Sequence, residues 1–322
     1  MAKKERARSG SYGIAEWYGQ LFRSLPNSTR IDFTVPSNKN VPCRFMHDTP
    51  LLAPKGDLNC NKKNGVCSMC NFSGSSENPQ FGPITATCPF RFLEGGLIVR
   101  EIGKALLGTA TPLIAKEIPF LKRVSRSPLA EISDDDLVEK LDIKDGADPG
   151  IAKESVGRID MVCVHPDLNP LNWCAVEMQA VYFSGGALNK DFSAIKSYSG
   201  NGVPMPGAGR RPDFRSSGPK RLMPQLQIKV PTLRRWGKKM AVIVDQPFFD
   251  SLGPMGHVPN VSNADIAWIV VRFDEDELQG VATMKLDHIK FTTLERAVEG
   301  LTSGSPATLP EFEQKILSKL RR

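Results

Sequence analysis

The 322-residue chain has no run of about 18 consecutive apolar residues, so the sequence offers no membrane span. The basic N-terminal segment MAKKERARSG is not followed by an apolar stretch. It therefore does not read as a secretory signal but as a solvated tail, and the expectation is a cytoplasmic protein. No internal repeat is present. Cysteine is scarce outside one segment: five of the seven lie between Cys43 and Cys88, leaving only Cys163 and Cys174 elsewhere. Without a secretion signal this pattern argues against a disulfide framework and for metal ligation. Acidic residues are nearly missing from 210 to 239, where ten Lys or Arg face a single acid, Asp213. That segment carries +9 of a formal net charge of +7, so the rest of the chain sums to −2. The basic character is local, and it suggests a polyanionic partner.

Hydrophobic residues at 40% and charged residues at 24% fit a soluble globular protein rather than a disordered one. The length suits one large α/β domain with an elaboration, or two modest domains. In SYGIAEWYGQLFRS (11–24), the apolar positions Ile14, Trp17, Tyr18, Leu21 and Phe22 have helical spacing and predict an amphipathic helix. Residues 27–90 are rich in Asn, Pro, Gly, Ser and Cys, bury little, and need something else, such as a metal, to order them. Residues 92–124 read as a loop and a helix leading to the basic spot Lys122, Arg123 and Arg126. A further helix is expected from Ser133 to about Leu141, broken by KDGADPG.

From 156 the pattern changes. VGRIDMVCVH reads as a strand, HPDLNPLN as a turn and WCAVEMQAVYF as a second strand, together a hairpin. A helix follows at 187–199, then a Gly/Pro/Arg loop at 200–221, and a helix from Leu222 to Arg235 despite Pro224 and Pro231. MAVIVD and ADIAWIVVRFD read as buried strands, and PEFEQKILSKL as a helix.

Within the hairpin, Glu177 and Gln179 are two residues apart on one strand and share a face. Asp160 lies on the preceding strand. If the strands pair, the three converge on one metal-sized spot. Carboxylate oxygens suit Mg²⁺, which keeps several waters. Such an ion polarises a phosphoryl oxygen and lowers the pKa of bound water, the chemistry of phosphodiester hydrolysis. The bland alternative is a turn acid at Asp160 and a solvated acid and amide at Glu177 and Gln179. The usual third letter of a PD-(D/E)xK motif is Lys, and here Gln stands in its place. Lys153 and Lys190 are nearby in sequence but off the motif position. A third acidic ligand is not identified; Glu154 and Glu139 are candidates.

Cys43, Cys60, Cys67, Cys70 and Cys88 are separated by 16, 6, 2 and 17 residues. Four thiolates around one tetrahedral ion form a closed structural site for zinc or iron. Five cysteines are one too many; Cys67-x₂-Cys70 is the tightest bite, and His47 is an alternative ligand. Buried free thiols, acting as small hydrophobes, are the plain alternative. The basic stretches GAGRRPDFRSSGPKR and LRRWGKK offer Arg210, Arg211, Arg215, Lys220 and Arg221 to phosphates and guanine edges of double-stranded DNA.

These segments resemble the NotI-type family of type II restriction endonucleases. The resemblance is carried by RIDMVCVHPDLNPLNWCAVEMQAVYFSGG with Asp160…Glu177-x-Gln179, and by VPCRF, DLNCNKKNGVC and ATCPFRF. GPKRLMPQLQIKVPTLRRW and IAWIVVRFD are also similar, so the likeness spans roughly 40–275. The family has Gln where most PD-(D/E)xK enzymes have Lys. Its members bind iron through four cysteines beside the nuclease core, a pattern that falls on Cys43, Cys60, Cys67 and Cys88 and leaves Cys70 as the extra. The resemblance implies an α/β restriction-endonuclease-like PD-(D/E)xK core, a central mixed sheet flanked by helices, with an N-terminal four-cysteine metal-binding elaboration. It also implies a homodimer cutting double-stranded DNA at a palindromic, GC-rich site. The expected division is an N-terminal helix and four-cysteine metal-binding region over 1–125 and a nuclease core over 126–322 with a recognition loop at 200–221. The competing expectation is a non-catalytic DNA-binding protein built on the metal knuckle and basic loop. A thiol enzyme using Cys67-x₂-Cys70 is disfavoured, since no βαβ context surrounds that pair.

Overall fold

The computed structural model describes residues 11–35, 40–53, 56–121, 157–303 and 307–320. Lys122, Arg123, Arg126, Glu139, Lys153, Glu154 and the helix expected at 133–141 lie outside these residues.

The N-terminal segment is not a helix. Strand β1 (Ser11–Trp17) folds back on β2 (Gln20–Leu21), and the turn between them places Tyr18 at φ 49° and Gly19 at φ 80°. Two successive left-handed residues make a tight hairpin turn that a helix cannot contain. Isolated helical spacing misled because β1 is covered on both faces, so its apolar residues need not alternate. After α1 (Asn27–Phe33), β3 (Val66–Gly74) pairs antiparallel with β1, β4 (Pro79–Phe81) and β5 (Thr85–Ala86). A 3₁₀ turn (Pro89–Gly96) and α2 (Leu97–Ile102) lead to β6 (Leu113–Pro119).

β7 (Arg158–Val164) and β8 (Trp173–Met178) form the expected antiparallel hairpin, with Met161 opposite Val176 and Cys163 opposite Cys174. β9 (Phe183–Ser184) and α3 (Leu188–Ser197) follow. The second half of the expected loop is ordered: β10 (Arg211–Pro212) pairs with β9, and α4 (Phe214–Ser217) runs through a π-turn (Gly218–Leu222) into α5 (Met223–Arg235). Asp213 initiates this helical run by accepting from the Ser216 N–H at 2.9 Å. The chain ends with β11 (Met240–Asp245), α6 (Gln246–Asp250), β12 (Ile266–Asp276), β13 (Val281–Thr292), α7 (Leu294–Thr302) and α8 (Leu309–Leu320).

The central sheet has the order β13-β12-β11-β8-β7-β6. β11 runs parallel to both β8 and β12, while the outer pairs are antiparallel, so the sheet is mixed. β11 is buried along its whole length, as its unbroken apolar run requires of a central parallel strand. β6, from the chain before residue 125, is the edge strand beside β7.

Alternation sorts this sheet into two faces. Met161, Cys163, Cys174, Val176, Ala241, Ile243, Ala267 and Ile269 pack under Phe92, Leu93, Ile98 and Ile102. Val162, Ala175, Val242, Val244, Trp268 and Val270 pack under Leu222, Leu226, Val230, Leu233 and Leu301. The stripe Leu222, Leu226, Val230, Leu233, running from the π-turn into α5, has helical spacing and leaves Pro231 on the exposed side.

A buried ionic network joins the N-terminal sheet to the core. Arg91, fully buried, donates to Glu16 at 2.8 Å, to Glu94 at 2.8 Å and to the Ala282 carbonyl at 3.1 Å, between the rings of Phe45 and Phe273. Glu94 also accepts from Arg44 at 2.7 Å and from the Met284 N–H at 2.6 Å. A buried charge survives only when paired on this scale, so the network pins the two sheets in register.

Candidate active site

Asp160 on β7 and Glu177 on β8 lie on the α5 side of the central sheet, in step with Val162 and Ala175. Asp160 Oδ2 accepts from the Met178 N–H at 3.0 Å, which clamps its carboxyl at the end of the hairpin. The two acids are close enough that each shifts the other's titration. Burial pushes Asp160 above the usual carboxylate range, and burial, then the Asp160 charge, pushes Glu177 up to about 8. Gln179, just past the strand end, is 7% exposed; its N–H donates to the Ile243 carbonyl at 3.0 Å and its side-chain amide to the Ala180 carbonyl at 2.6 Å. All three residues singled out in the sequence therefore gather at one end of the hairpin.

Asp160 and Gln179 line a cleft of about 390 Å³ together with Gln225, Arg210, Arg221, Lys62 and others, while Glu177 lies buried behind that wall. Two of the five expected DNA-binding residues are in its wall. Arg210 faces Asp191 at 3.6 Å, and the Arg221 guanidinium lies 3.5 Å from the centre of the Tyr182 ring. Arg211, Arg215 and Lys220 are exposed nearby on the same chain segment, away from the cleft lining. Lys62 enters from the cysteine-bearing region, its ammonium donating to the Thr87 carbonyl at 2.7 Å.

The sequence reading missed Lys229. It projects from α5, is fully buried, and forms a salt bridge with Glu177 Oε1 while donating to Gln225 Oε1 at 2.9 Å. A signal was present: Lys229 is seven residues after Leu222 and three after Leu226, so it shares their buried face. Within a stretch so rich in solvated Lys and Arg, that phase is easily overlooked. Asp245 is a second buried acid of this sheet, accepting from the Phe248 N–H at 2.9 Å and the Ala86 N–H at 2.7 Å. Burial pushes it up to about 7.

The cysteines divide. Cys60 and Cys88 each have Cys43 as a charged neighbour, Cys67 has Cys60 and Cys88, and burial first, then neighbouring thiols among other charges, pushes Cys88 up to about 11. Their backbones are knit together: Cys60 donates to the Val41 carbonyl at 2.8 Å, and Cys88 to the Cys67 carbonyl at 3.1 Å. Cys70 instead packs with Ile14, Trp17 and Phe72, while Cys67 packs with Phe45 and Met46. The charged neighbours of Cys70 are Glu275, Arg23 and Glu16. His47 is exposed. Among the described residues, no three His, Cys, Asp or Glu side chains close into a metal-sized cluster.

A mixed sheet flanked by helices, with Asp160 lining a cleft that also carries Lys62, Arg210 and Arg221, is an α/β arrangement consistent with a nuclease. The family model described as restriction endonuclease NotI matches residues 29–285, most of the chain. The chain belongs to the NotI restriction endonuclease family. No curated protein matches it. Among the described residues, no helix is long and apolar enough to cross a membrane.

Proposed function

We propose that this protein is a type II restriction endonuclease of the PD-(D/E)xK kind, hydrolysing phosphodiester bonds of double-stranded DNA at a specific site with Mg²⁺. The observation that carries the reading is the pairing of Asp160 with Glu177 on one face of the sheet, beside a cleft walled by Gln179, Arg210 and Arg221. Two neighbouring carboxyls, Glu177 buried and Asp160 half-buried, both with raised pKa values, are a donor set that a hard divalent cation relieves. Asp160 and Glu177 would hold that ion. Bound there, it would neutralise charge on the phosphate and supply an activated water. Asp160 is held by the Met178 N–H at one oxygen and lies against the Glu177 carboxyl. Gln179 presents an amide rather than a cation to the cleft, and Arg210 and Arg221 provide the positive charge that attracts a phosphate.

The four cysteines at 43, 60, 67 and 88 are the proposed ligands of a structural iron or zinc ion. Their proximity to one another and the exclusion of Cys70 into the β1–β3 core support this set. The family membership further supports a homodimer acting on a palindromic, GC-rich sequence, with protein symmetry mirroring that of the DNA. The test is digestion of varied plasmid DNA with Mg²⁺. Discrete fragments that disappear with Glu177→Ala support the reading. DNA binding without cleavage by the wild type favours a non-catalytic binding protein instead.

A further inference from the structure

We propose that Lys229 is a positioning residue of this site: a resident counter-ion that anchors Glu177 and sets how tightly the Asp160–Glu177 pair takes a divalent cation. The inference rests on the nuclease reading above.

Lys229 lies among Leu226, Val230 and Leu233, where a purely structural helix would carry another apolar residue. An ammonium there must be fully partnered. Its hydrogen-bond partners are Glu177 and Gln225, and Gln225 in turn lines the cleft that Asp160 and Gln179 border. Neither Lys229 nor Glu177 is part of that lining, so Lys229 would reach the cleft only through Glu177 and the neighbouring Asp160. The motif position that usually supplies a cation is Gln179, and its amide is already committed to the Ala180 carbonyl. The other basic residues of the cleft are engaged elsewhere: Arg210 with Asp191, Arg221 on Tyr182, Lys62 on the Thr87 carbonyl. Lys229 is the basic residue whose charge acts on both Asp160 and Glu177.

Two opposing effects follow. The fixed positive charge lowers the negative potential at the carboxylates, so a divalent cation binds less tightly than it would to the bare pair. The same ammonium holds Glu177 in one orientation, which the reaction needs. Removing the charge should therefore tighten metal binding while slowing cleavage, a combination that loss of packing alone does not give.

The experiment titrates Mg²⁺ by calorimetry, at pH 9, into wild type, Lys229→Met, Lys229→Gln and Glu177→Ala, and measures kcat and KM on a cleavable duplex. For either neutral Lys229 variant the expected result is about tenfold tighter Mg²⁺ binding to the ionised pair, after titrations in two buffers of different ionisation enthalpy have counted the protons that Mg²⁺ displaces. The kcat should fall by about tenfold or more with KM for DNA little changed. Unchanged or weaker Mg²⁺ affinity in a folded variant overturns the proposal. If the wild type takes up no Mg²⁺, or Glu177→Ala binds it as the wild type does, the nuclease site fails rather than the role of Lys229. Should both neutral variants fail to fold, wild-type protein labelled with ¹⁵N-lysine decides. One slowly exchanging ammonium resonance that shifts on adding Mg²⁺ supports the proposal, and one that stays fixed contradicts it.

Discussion

The two faces of the central sheet are built from the same strands and do different work. Under the 3₁₀ turn and α2, every inward residue of β7 and β8 is apolar: Met161, Cys163, Cys174 and Val176. Under α5 the same strands carry Asp160 and Glu177, and the covering helix answers with Lys229. A strand's period of two lets one hairpin carry an apolar core on one side and the proposed catalytic acids on the other. The apolar face fixes where the hairpin lies; the polar face carries raised carboxyl pKa values and forms a charged site at a cleft. Burial joined to a specific charge partner beside a cleft is the combination that marks a candidate functional position.

The comparison is broken most sharply by Glu177→Ala. It should lower cleavage by about a thousandfold or more while DNA binding in a gel-shift assay survives. Asp160→Ala should behave alike. Unchanged cutting by either would remove the polar face from the chemistry. Asp245 gives the next largest effect. Its carboxyl is pushed up to about 7 when folded, against about 4 when unfolded. Between those values the folded state holds a proton the unfolded state has lost, so stability falls as pH rises through that window and levels off above it. The full difference is about 4 kcal/mol. Thermal melts of wild type and Asp245→Asn from pH 4 to pH 8 should show this slope in the wild type and a shallower one in the variant; parallel curves would count against it.

On the apolar face, Met161→Ala should cost about 2–5 kcal/mol in a denaturant melt and leave the residual folded enzyme active per molecule. Selective loss of activity at full stability would erase the contrast between faces. Cys88→Ser should reduce bound metal and folding yield, whereas Cys70→Ser should keep the metal and lose only local packing; elemental analysis separates them. Smallest of all, Arg215→Ala or Lys220→Ala, both exposed, should weaken DNA binding a few-fold and reduce the salt dependence by about one charge.

Much of this contrast was legible in the sequence because it is local. RIDMVCVH and WCAVEMQ alternate, the turn between them is rich in Asn and Pro, and Glu177 and Gln179 share parity. MAVIVD announced a strand buried on both sides. What escaped is non-local or doubly covered. The parallel pairing of β8 with β11 spans more than sixty residues and leaves no short-range trace. β1 looked helical because both its faces are buried and because its turn opens on Tyr18, a residue type that seldom marks a left-handed position. β13, VATMKLDHIKFT, mixes charges with apolar residues since its pairing partner lies on one side only. Lys229 was hidden in a run of solvated basic residues, although its phase on α5 pointed inward.

The most direct test of the paired carboxylates as a cation site is crystallographic. In crystals soaked with Mn²⁺ as a stand-in for Mg²⁺, the anomalous signal should fall between Asp160 and Glu177, at the mouth of the cleft that Gln179 borders. A cleaving enzyme whose manganese peak lies elsewhere would contradict the account.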